Sequence, residues 1–460
     1  MDEINSEYIG VWWLPSDPTK TVGGVLSFDP VIGYSLQLIG SFNSSSINGN
    51  VGTIFGLTKE SKLFSLFNCM INGLNIGFPG FSSTNFFVGS TLFGDHIEGL
   101  DSKFIDRCSL DIFNSSKVFG VAQIPADYHD NQLNISLPAM DEISLYELDD
   151  LKFAISRYFD YKSNLNTSVQ INSLSYLTIK YAKPVSLNQI INDSTSLREM
   201  CCICAANFLP IKSIQCVRNP DGDVSKRRAS RYYFRSILDD FQKSESDKAT
   251  AVISLNEICL LNSNAIGDWI STRERFASVM SLYFSLNSTG KKFLEDRFLS
   301  TVQALEVFSR RLNNISIDKA YYKSQRKLFQ DSFPSNGDPL IAEKLRGALA
   351  YAHEPSLASR LIQIFSEIED DIEFMKFTNN KKFLRSIVDT RNYLTHYDKN
   401  DKSEILKGDD LFYTTRCLLA LLNAIILREI GLPLNNSLEL MNKNEHYGFD
   451  FAYISRRYKE

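Results

Sequence analysis

Arg391-Asn392-Tyr393-Leu394-Thr395-His396 closes a stretch in which Phe383, Ile387 and other apolar residues recur at helical spacing. Arginine carries a permanent charge on a planar fork that matches phosphate oxygens. Histidine gives and takes protons near neutral pH. The pair therefore has the chemistry to cleave RNA without a metal. The same spacing is also compatible with a structural role, in which Arg391 neutralises a helix end and His396 caps it.

The relative orientation of these polar side chains limits how they act together. On an α-helix, positions four apart are separated by about 40° and positions five apart by about 140°. Asn392 and His396 therefore share a face, and Asn392 is predicted to orient the imidazole. Arg391 reaches that face only through its long stem or a loosening of the last helical turn. A meeting of two such helices across a dimer interface would ease this constraint, since each pocket would collect groups from both chains.

Segments near both ends of the chain resemble one known family. The run 387–398 resembles the signature of the ApeA-like branch of the HEPN superfamily, a small all-α nuclease fold. Upstream, Ala304-Leu305-Glu306 places an acidic residue mid-helix, where these domains commonly carry one that faces the motif. Four further segments resemble the opening of the ApeA N-terminal domain: GVWWLP at 10–15, GGVLSF at 23–28, IFG at 54–56 and LFSL at 63–66.

The residues and the resemblance together imply a HEPN ribonuclease that acts by transesterification, and the resemblance implies a homodimer. His396 would serve as general base or acid when the RNA 2′-hydroxyl attacks the adjacent phosphate, and Arg391 would stabilise the developing charge. Asn392 would orient His396, and Glu306 would tether Arg391 or support the histidine. The expected products are a 2′,3′-cyclic phosphate and a 5′-hydroxyl, with no metal and no cofactor. DNA lacks the 2′-hydroxyl nucleophile and should be untouched.

The resemblance also implies a biological setting. It points to anti-phage defence by abortive infection, in which host RNA is cut and transfer RNA is the leading candidate. Such an enzyme must be restrained until infection, so the β-rich N-terminal part is expected to sense, regulate or position substrate, in response to an unidentified phage-derived trigger. The alternative is a catalytically inactive HEPN scaffold that serves dimerisation or RNA binding.

The hydrophobic pattern divides the chain into a β-rich front and a helical back, and predicts an α+β multidomain protein. Residues 1–160 favour an antiparallel sandwich or an open barrel, with strands at 25–28, 34–39, 85–88 and 104–112. Residues 161–255 are predicted to extend this N-terminal module, with a strand at 173–181, a helix at 187–208 and strands at 211–218 and 229–234. Residues 256–460 predict the HEPN helical bundle, with helices near 266–287, 290–313, 318–333, 338–352, 356–375, 379–396 and 409–430.

Composition bounds the class of protein. The 460 residues are 43% hydrophobic and 22% charged, as in an ordinary soluble protein. Residues 1–160 contain 8 Lys and Arg and 19 Asp and Glu, a net charge of −11. Residues 161–460 contain the remaining 41 Lys and Arg and 35 Asp and Glu, a net charge of +6. A mildly basic back half suits contact with nucleic acid.

The apolar stretch 417–427, interrupted by Asn423, is too short to span a bilayer and predicts a buried helix. Eight cysteines and the absence of a signal-peptide pattern predict a reduced, cytoplasmic protein with no membrane partner.

Other clusters leave alternatives open. Cys201, Cys202, Cys204 and Cys216 suggest metal ligands, but no second cysteine or histidine pair follows, which favours core packing over a metal site. Basic residues interleaved with Tyr232 and Tyr233 could hold a single RNA strand or form the polar surface of a hairpin. These are Lys226, Arg227, Arg228 and Arg231. Tyr397, next to the motif, could stack on a base.

Overall fold

The computed structural model describes most of the chain. The described residues are 7–29, 33–42, 50–77, 79–113, 115–121, 124–130, 132–137, 142–148, 150–164, 168–219, 228–234, 251–287, 292–312, 318–333, 337–368, 372–396 and 404–459. They form two compact units, residues 1–266 and residues 267–460. The three predicted segments, 1–160, 161–255 and 256–460, stay a prediction. The boundary at 160 falls inside a strand, 151–164, that belongs to the same sheet as the strands after it.

The first unit is built mainly from fourteen described strands. They are β1 (Tyr8–Leu14), β2 (Asp17–Asp29), β3 (Gly33–Ile39), β4 (Asn50–Thr58), β5 (Leu63–Asn75), β6 (Ser83–Phe93), β7 (Ile105–Ile112), β8 (Ala126–His129), β9 (Gln132–Ile135), β10 (Glu142–Leu148), β11 (Leu151–Asn164), β12 (Ser168–Val185), β13 (Ile211–Arg218) and β14 (Arg228–Phe234). Its helices in the described ranges are α1 (Ser115–Phe119), α2 (Leu187–Ala205) and α3 (Leu255–Leu261).

Six of these strands close into an antiparallel barrel. The order runs β6-β3-β2-β1-β4-β5, and β5 pairs back with β6. Alternating inward side chains fill the interior, among them Leu26, Leu36, Ile54, Phe64 and Phe86. The prediction of an antiparallel, barrel-like N-terminal domain is confirmed. Closure leaves no free edge among these six strands, which removes a site for edge-to-edge aggregation.

Trp12 occupies the barrel interior because glycines on both neighbouring strands make room for it. The Trp12 side chain is fully buried. A Cβ atom added at Gly56 on β4 would lie 2.1 Å from Cζ3 of the indole, and one added at Gly24 on β2 would lie 3.1 Å from its Cδ1. The indole therefore lies flat against backbone on two sides. The GVWWLP, GGVLSF and IFG segments thus form one packing unit.

The remaining strands extend the sheet from β6 in the order β14-β13-β7-β12-β11-β10. Helix α2 begins at Ser186, whose hydroxyl accepts a hydrogen bond from the Gln189 N–H, and packs against β7. The strand predicted to end before Pro184 instead continues to Val185. It does so through a register shift between Lys180 and Val185, an irregularity of the kind at which a strand tolerates proline. The predicted helix 187–208 ends at Ala205, because Ala206 adopts a left-handed conformation (φ 47°).

The second unit is helical. Its elements are α4 (Ala265–Arg275), α5 (Ala277–Asn287), α6 (Leu294–Leu312), α7 (Lys319–Asp331), α8 (Pro339–Tyr351), α9 (Leu357–Phe365), a 3₁₀ helix (Glu373–Asn379), α10 (Lys381–His396), α11 (Gly408–Glu429), α12 (Leu434–Lys443) and α13 (Glu445–Arg457). The predicted all-α C-terminal bundle is confirmed. Two predicted helices are each divided: 266–287 becomes α4 and α5, and 356–375 becomes α9 and the 3₁₀ helix.

The segment Gly431-Leu432-Pro433 ends α11 as predicted, but it also starts α12. Gly431 has a φ of 106°, which glycine adopts at low cost at a helix end. Pro433 then serves as the N-cap position of α12. Proline at a helix start loses no hydrogen bond and has a suitable φ. Two further helices, α12 and α13, therefore follow where the sequence analysis predicted none.

Helix α11 is the core of the second unit. It is long and apolar enough to cross a membrane by length and composition, but 72% of its most apolar window is buried within the protein. It packs against α6, α12 and α13. Asn423, the polar residue in its apolar stretch, accepts a hydrogen bond from the Tyr283 hydroxyl on α5. The helix is therefore a core element, and the predicted burial of 417–427 is confirmed.

Gly56→Ala should destabilise the barrel, because its new methyl group would overlap the fully buried Trp12 indole. We expect a loss of about 1–3 kcal/mol, as for overpacking of a dense core. Thermal unfolding of the full chain, followed by tryptophan fluorescence, measures the shift. The matched control is Gly23→Ala on β2, where an added Cβ would meet no atom within 4 Å. Equal shifts for the two variants would contradict the account of Trp12 packing.

Candidate active site

Helix α10 carries the Arg-x4-His motif at its C-terminal end. The helix starts after Asn380, whose side-chain oxygen accepts hydrogen bonds from the N–H groups of Lys382 (2.7 Å) and Phe383 (3.3 Å). Its buried face contains Phe383, Ser386, Ile387 and Thr390. This face packs against α6, α9 and the 3₁₀ helix. The apolar residues that predicted the helix therefore also determine which of its faces is buried, and the end of the motif at His396 remains exposed to solvent.

Arg391 lies opposite an acidic residue of α6. Its Nη2 atom is 4.0 Å from Oε2 of Glu306. The Glu306 side chain is 16% exposed and that of Arg391 is 36% exposed, so the pair lies at a partly enclosed surface. This geometry brings together the motif arginine and the acidic residue that the sequence analysis selected. At 4.0 Å the contact is a loose ion pair, which leaves the guanidinium able to move.

Asn392 contacts the arginine of the motif. Its side-chain oxygen accepts a hydrogen bond of 3.3 Å from Nη1 of Arg391. The sequence analysis expected Asn392 to orient His396, and within the described residues no hydrogen bond joins those two side chains. The Asn392 contact therefore fixes one side of the Arg391 guanidinium, while Glu306 faces another.

His396 is the last residue of α10 and is exposed. The part of the chain that the structure describes offers its imidazole no hydrogen-bond partner. The helix stays regular to its end, with the Thr395 hydroxyl donating to the Arg391 carbonyl oxygen at 2.7 Å. Arg391 and His396 consequently leave the helix about 140° apart. Within one chain, the two groups face different directions.

A chain of alternating charges continues from Glu306 away from the motif. Nη2 of Arg310 lies 2.8 Å from Oε1 of Glu306 and 3.7 Å from Oε2 of Glu354. Nη2 of Arg360, on α9, lies 3.9 Å from the same Glu354 oxygen. Arg360 is only 5% exposed, and this burial, followed by the charge of Arg310, lowers the pKa of its guanidinium.

Arg310, Glu354 and Arg360 were not predicted from the sequence. The spacing of Glu306 and Arg310 was a usable signal, because residues four apart on a helix lie on one face. Glu354 and Arg360 gave no such signal. Helices α7 and α8 separate them from Arg310 in the sequence, and they come close to it only in the folded chain. The cluster around the motif arginine is therefore larger than the motif indicates.

Thr390 fixes the chain that returns from the motif. Its buried hydroxyl accepts a hydrogen bond of 2.8 Å from the N–H of Leu406. Leu406 is itself buried, just before α11 begins. The residue beside Arg391 thus anchors the segment that leads into the core helix. Tyr397, the predicted stacking residue, lies outside the described residues.

The predicted RNA-binding residues of the β13–β14 hairpin belong to the first unit. Lys226 and Arg227 lie outside the described residues. Arg228 begins β14 and lies 3.6 Å from the buried carboxylate of Asp95, which gives its charge a structural partner. Arg231 is exposed on β14, opposite Gln215 of β13. An RNA-binding role for these residues stays a prediction.

The four cysteines that suggested metal ligands are buried side chains. Cys201, Cys202 and Cys204 lie on α2, and Cys216 lies on β13. Burial raises the pKa of Cys201, Cys204 and Cys216, which disfavours the thiolate form that binds metals. Among the described residues, no group of three or more His, Cys, Asp or Glu side chains is arranged to hold a metal ion.

Two family models match this chain. ApeA N-terminal domain 1 matches residues 7–269, which is more than half of the 460 residues. The chain belongs to the ApeA family. The second model, Apea-like HEPN, matches residues 299–436, a range that contains Glu306 on α6 and the whole motif on α10. The ApeA family and its HEPN domain identify a HEPN-type anti-phage defence protein. No curated protein and no solved structure matches the chain.

Thr390→Val should destabilise the helical unit of this ApeA-family protein. Valine keeps the shape of threonine but leaves the buried Leu406 N–H without an acceptor, a loss of about 1–3 kcal/mol. Circular dichroism of the full chain during heating measures the effect. Thr395→Val is the control, because its hydroxyl is exposed and contacts only its own helix; we expect its effect to stay within about 0.5 kcal/mol. A Thr390 variant as stable as this control would show that the contact does not hold the returning segment.

Proposed function

We propose that this ApeA-family protein is a metal-independent endoribonuclease of abortive infection. The observation that carries the proposal is the pairing of Arg391 with Glu306, together with an exposed His396 on the same helix as Arg391, inside a domain matched by the Apea-like HEPN model. HEPN domains are generally ribonucleases. A scaffold without activity would need neither an arginine tethered to an acid nor a histidine ring open to solvent.

The proposed reaction follows from the chemistry of the two groups. His396 removes the proton from the 2′-hydroxyl, whose oxygen attacks the adjacent phosphorus as the bond to the 5′-oxygen breaks. The leaving 5′-oxygen takes a proton from an imidazolium, which yields a 2′,3′-cyclic phosphate and a 5′-hydroxyl. Arg391 stabilises the negative charge on the pentacoordinate phosphate. Glu306 and Asn392 act as positioning residues that hold the guanidinium between them.

A second copy of the chain would resolve the divergence of Arg391 and His396. The two side chains leave a regular helix about 140° apart, so one phosphate contacts both most easily where two α10 helices meet. A two-fold axis between the helices would place the arginine of one chain near the histidine of the other. We therefore propose a homodimer in which each site takes residues from both protomers.

Host RNA is the proposed target, and transfer RNA is the leading candidate. Cleavage of host RNA would halt growth of an infected cell and so limit phage production. The N-terminal unit is proposed to restrain the nuclease until a phage-derived trigger appears. The remaining candidate, a HEPN scaffold without catalysis, differs in one testable respect, since it predicts RNA binding or dimerisation without strand cleavage.

His396→Ala and Arg391→Ala should each abolish RNA cleavage. General acid–base catalysis contributes about 10²–10⁴-fold and charge stabilisation about 10²–10³-fold, so we expect each variant to lose at least about 100-fold in rate. The measurement is sequencing of RNA 5′ ends, and identification of 2′,3′-cyclic phosphate ends, in phage-infected cells that express each form. In extract of phage-infected cells, the cleavage that depends on His396 should persist with chelator and should spare a strand with deoxyribose at the cleaved position.

Arg385→Ala on α10 is the matched control for these variants. Its side chain is exposed and pairs only loosely with Asp389, at 3.5 Å. We expect it to retain activity. An unchanged cleavage rate in His396→Ala would remove this residue from the mechanism. A wild-type protein that dimerises and binds RNA but leaves it intact during phage infection would instead establish the scaffold.

Mixing the two inactive variants should restore part of the activity if each site is shared. A heterodimer of Arg391→Ala and His396→Ala keeps one site with both groups intact and one site with neither. A dimer that carries both tags is mixed and has one intact site of two, so we expect it to retain about half of wild-type activity. The proteins are co-expressed with different tags, and the doubly tagged dimer is assayed. No activity in that dimer would show that each site draws its arginine and histidine from one chain.

A further inference from the structure

Two guanidinium groups flank the single carboxylate of Glu306. Arg310 contacts one oxygen at 2.8 Å and Arg391 lies 4.0 Å from the other. Because the two oxygens of a carboxylate are only about 2 Å apart, the two Nη2 atoms are separated by at most about 9 Å. Successive phosphates of one RNA strand can span such a separation. We propose that Arg310 binds the phosphodiester next to the scissile one; this inference rests on the proposed function.

The Arg310 side chain has free capacity for a phosphate. Both of its described contacts, to Glu306 and to Glu354, use the Nη2 atom. Nε and Nη1 have no partner in the described part of the chain, and the side chain is 51% exposed. A guanidinium has five N–H donors in a rigid plane. The two carboxylates therefore orient the group while its other donors face outward.

The cluster around Arg310 carries an excess positive charge. Three guanidinium groups, those of Arg310, Arg360 and Arg391, share the two carboxylates of Glu306 and Glu354. Arg360 is buried, and its Nε has no hydrogen-bond partner among the described residues. A buried charge that its neighbours compensate incompletely favours an approaching anion. Arg310 is the exposed member through which a phosphate would reach this charge.

Simple surface pairing does not account for the arrangement. Exposed ion pairs contribute about 0–1 kcal/mol to the free energy of unfolding, so the ion pairs of Arg310 stabilise the fold only slightly. Arg311, its neighbour on the same helix, is exposed, and the described residues give it no ion pair. The two arginines have the same charge but leave the helix about 100° apart. Only Arg310 shares a carboxylate with the motif arginine.

The test measures RNA binding at several salt concentrations, in the His396→Ala background so that the strand stays intact. The probe is a fluorescently labelled single-stranded RNA oligonucleotide. Each phosphate contact to a single strand contributes about −0.7 to the slope of log K against log salt. We expect Arg310→Gln to weaken binding several-fold at low salt and to reduce the slope by about 0.7. Arg310→Lys should keep the slope, since its charge remains.

Arg311→Gln is the matched control, with the same loss of charge on the same helical turn. A slope unchanged in Arg310→Gln, or reduced equally in Arg311→Gln, would overturn the assignment of Arg310. Melting temperatures should be equal for all variants, because both side chains are exposed. Failure of the proposed function is separate: a wild-type protein that binds RNA without cutting it during phage infection refutes the nuclease, yet the slopes still test Arg310. A protein that binds no RNA at low salt refutes both.

Discussion

The carboxylate of Glu306 is the constraint on which the proposed site depends. It lies on α6 and is shared between Arg310, at 2.8 Å, and Arg391, at 4.0 Å. Arg310 is the closer of the two, and at 4.0 Å the motif arginine is held only loosely. That arrangement suits catalysis, because an arginine bound tightly to a carboxylate would have to break the pair before it could stabilise a phosphate. In the proposed site, Glu306 thus directs Arg391 without holding it tightly.

Much of the fold could be predicted from periodicity, and the exceptions have physical causes. Alternation in Tyr34–Ile39 and the 3.6-residue spacing in 381–396 predicted β3 and α10 correctly, because each element buries one face against the core of its unit. Breaks inside apolar helical stretches were missed. Phe276 separates α4 from α5 yet is itself buried, stacked on Phe308 at 4.7 Å. Hydrophobic spacing alone does not distinguish one long helix from two that bury the same face.

Only those parts of the site that short sequence motifs mark could be predicted from the sequence. The motif and Glu306 were found from sequence, whereas Glu354 and Arg360 join the cluster through the packing of α9 on α6. Trp12 illustrates the same limit in the first unit. Its neighbours Gly24 and Gly56 come from two other strands, and their role becomes evident only when the indole is seen against their backbones. Resemblance to a family located the motif, Glu306 and the segments that contain Trp12, Gly24 and Gly56, but the contacts supply the physical reason for each.

Helix regularity is the strongest argument that one chain does not complete the site. A loosened last turn could have brought Arg391 and His396 together, but the Thr395 hydroxyl donates to the Arg391 carbonyl oxygen and α10 keeps its α-helical form to His396. The Arg391 side chain is also directed by Glu306 and Asn392, neither of which is hydrogen-bonded to the histidine in the described residues. Since neither backbone nor side-chain contacts turn the guanidinium toward its own imidazole, the proposed site is completed most easily by groups from outside the protomer. In the proposed homodimer a partner chain would supply those groups by symmetry, and separation of the protomers would then separate the arginine from the histidine of each site.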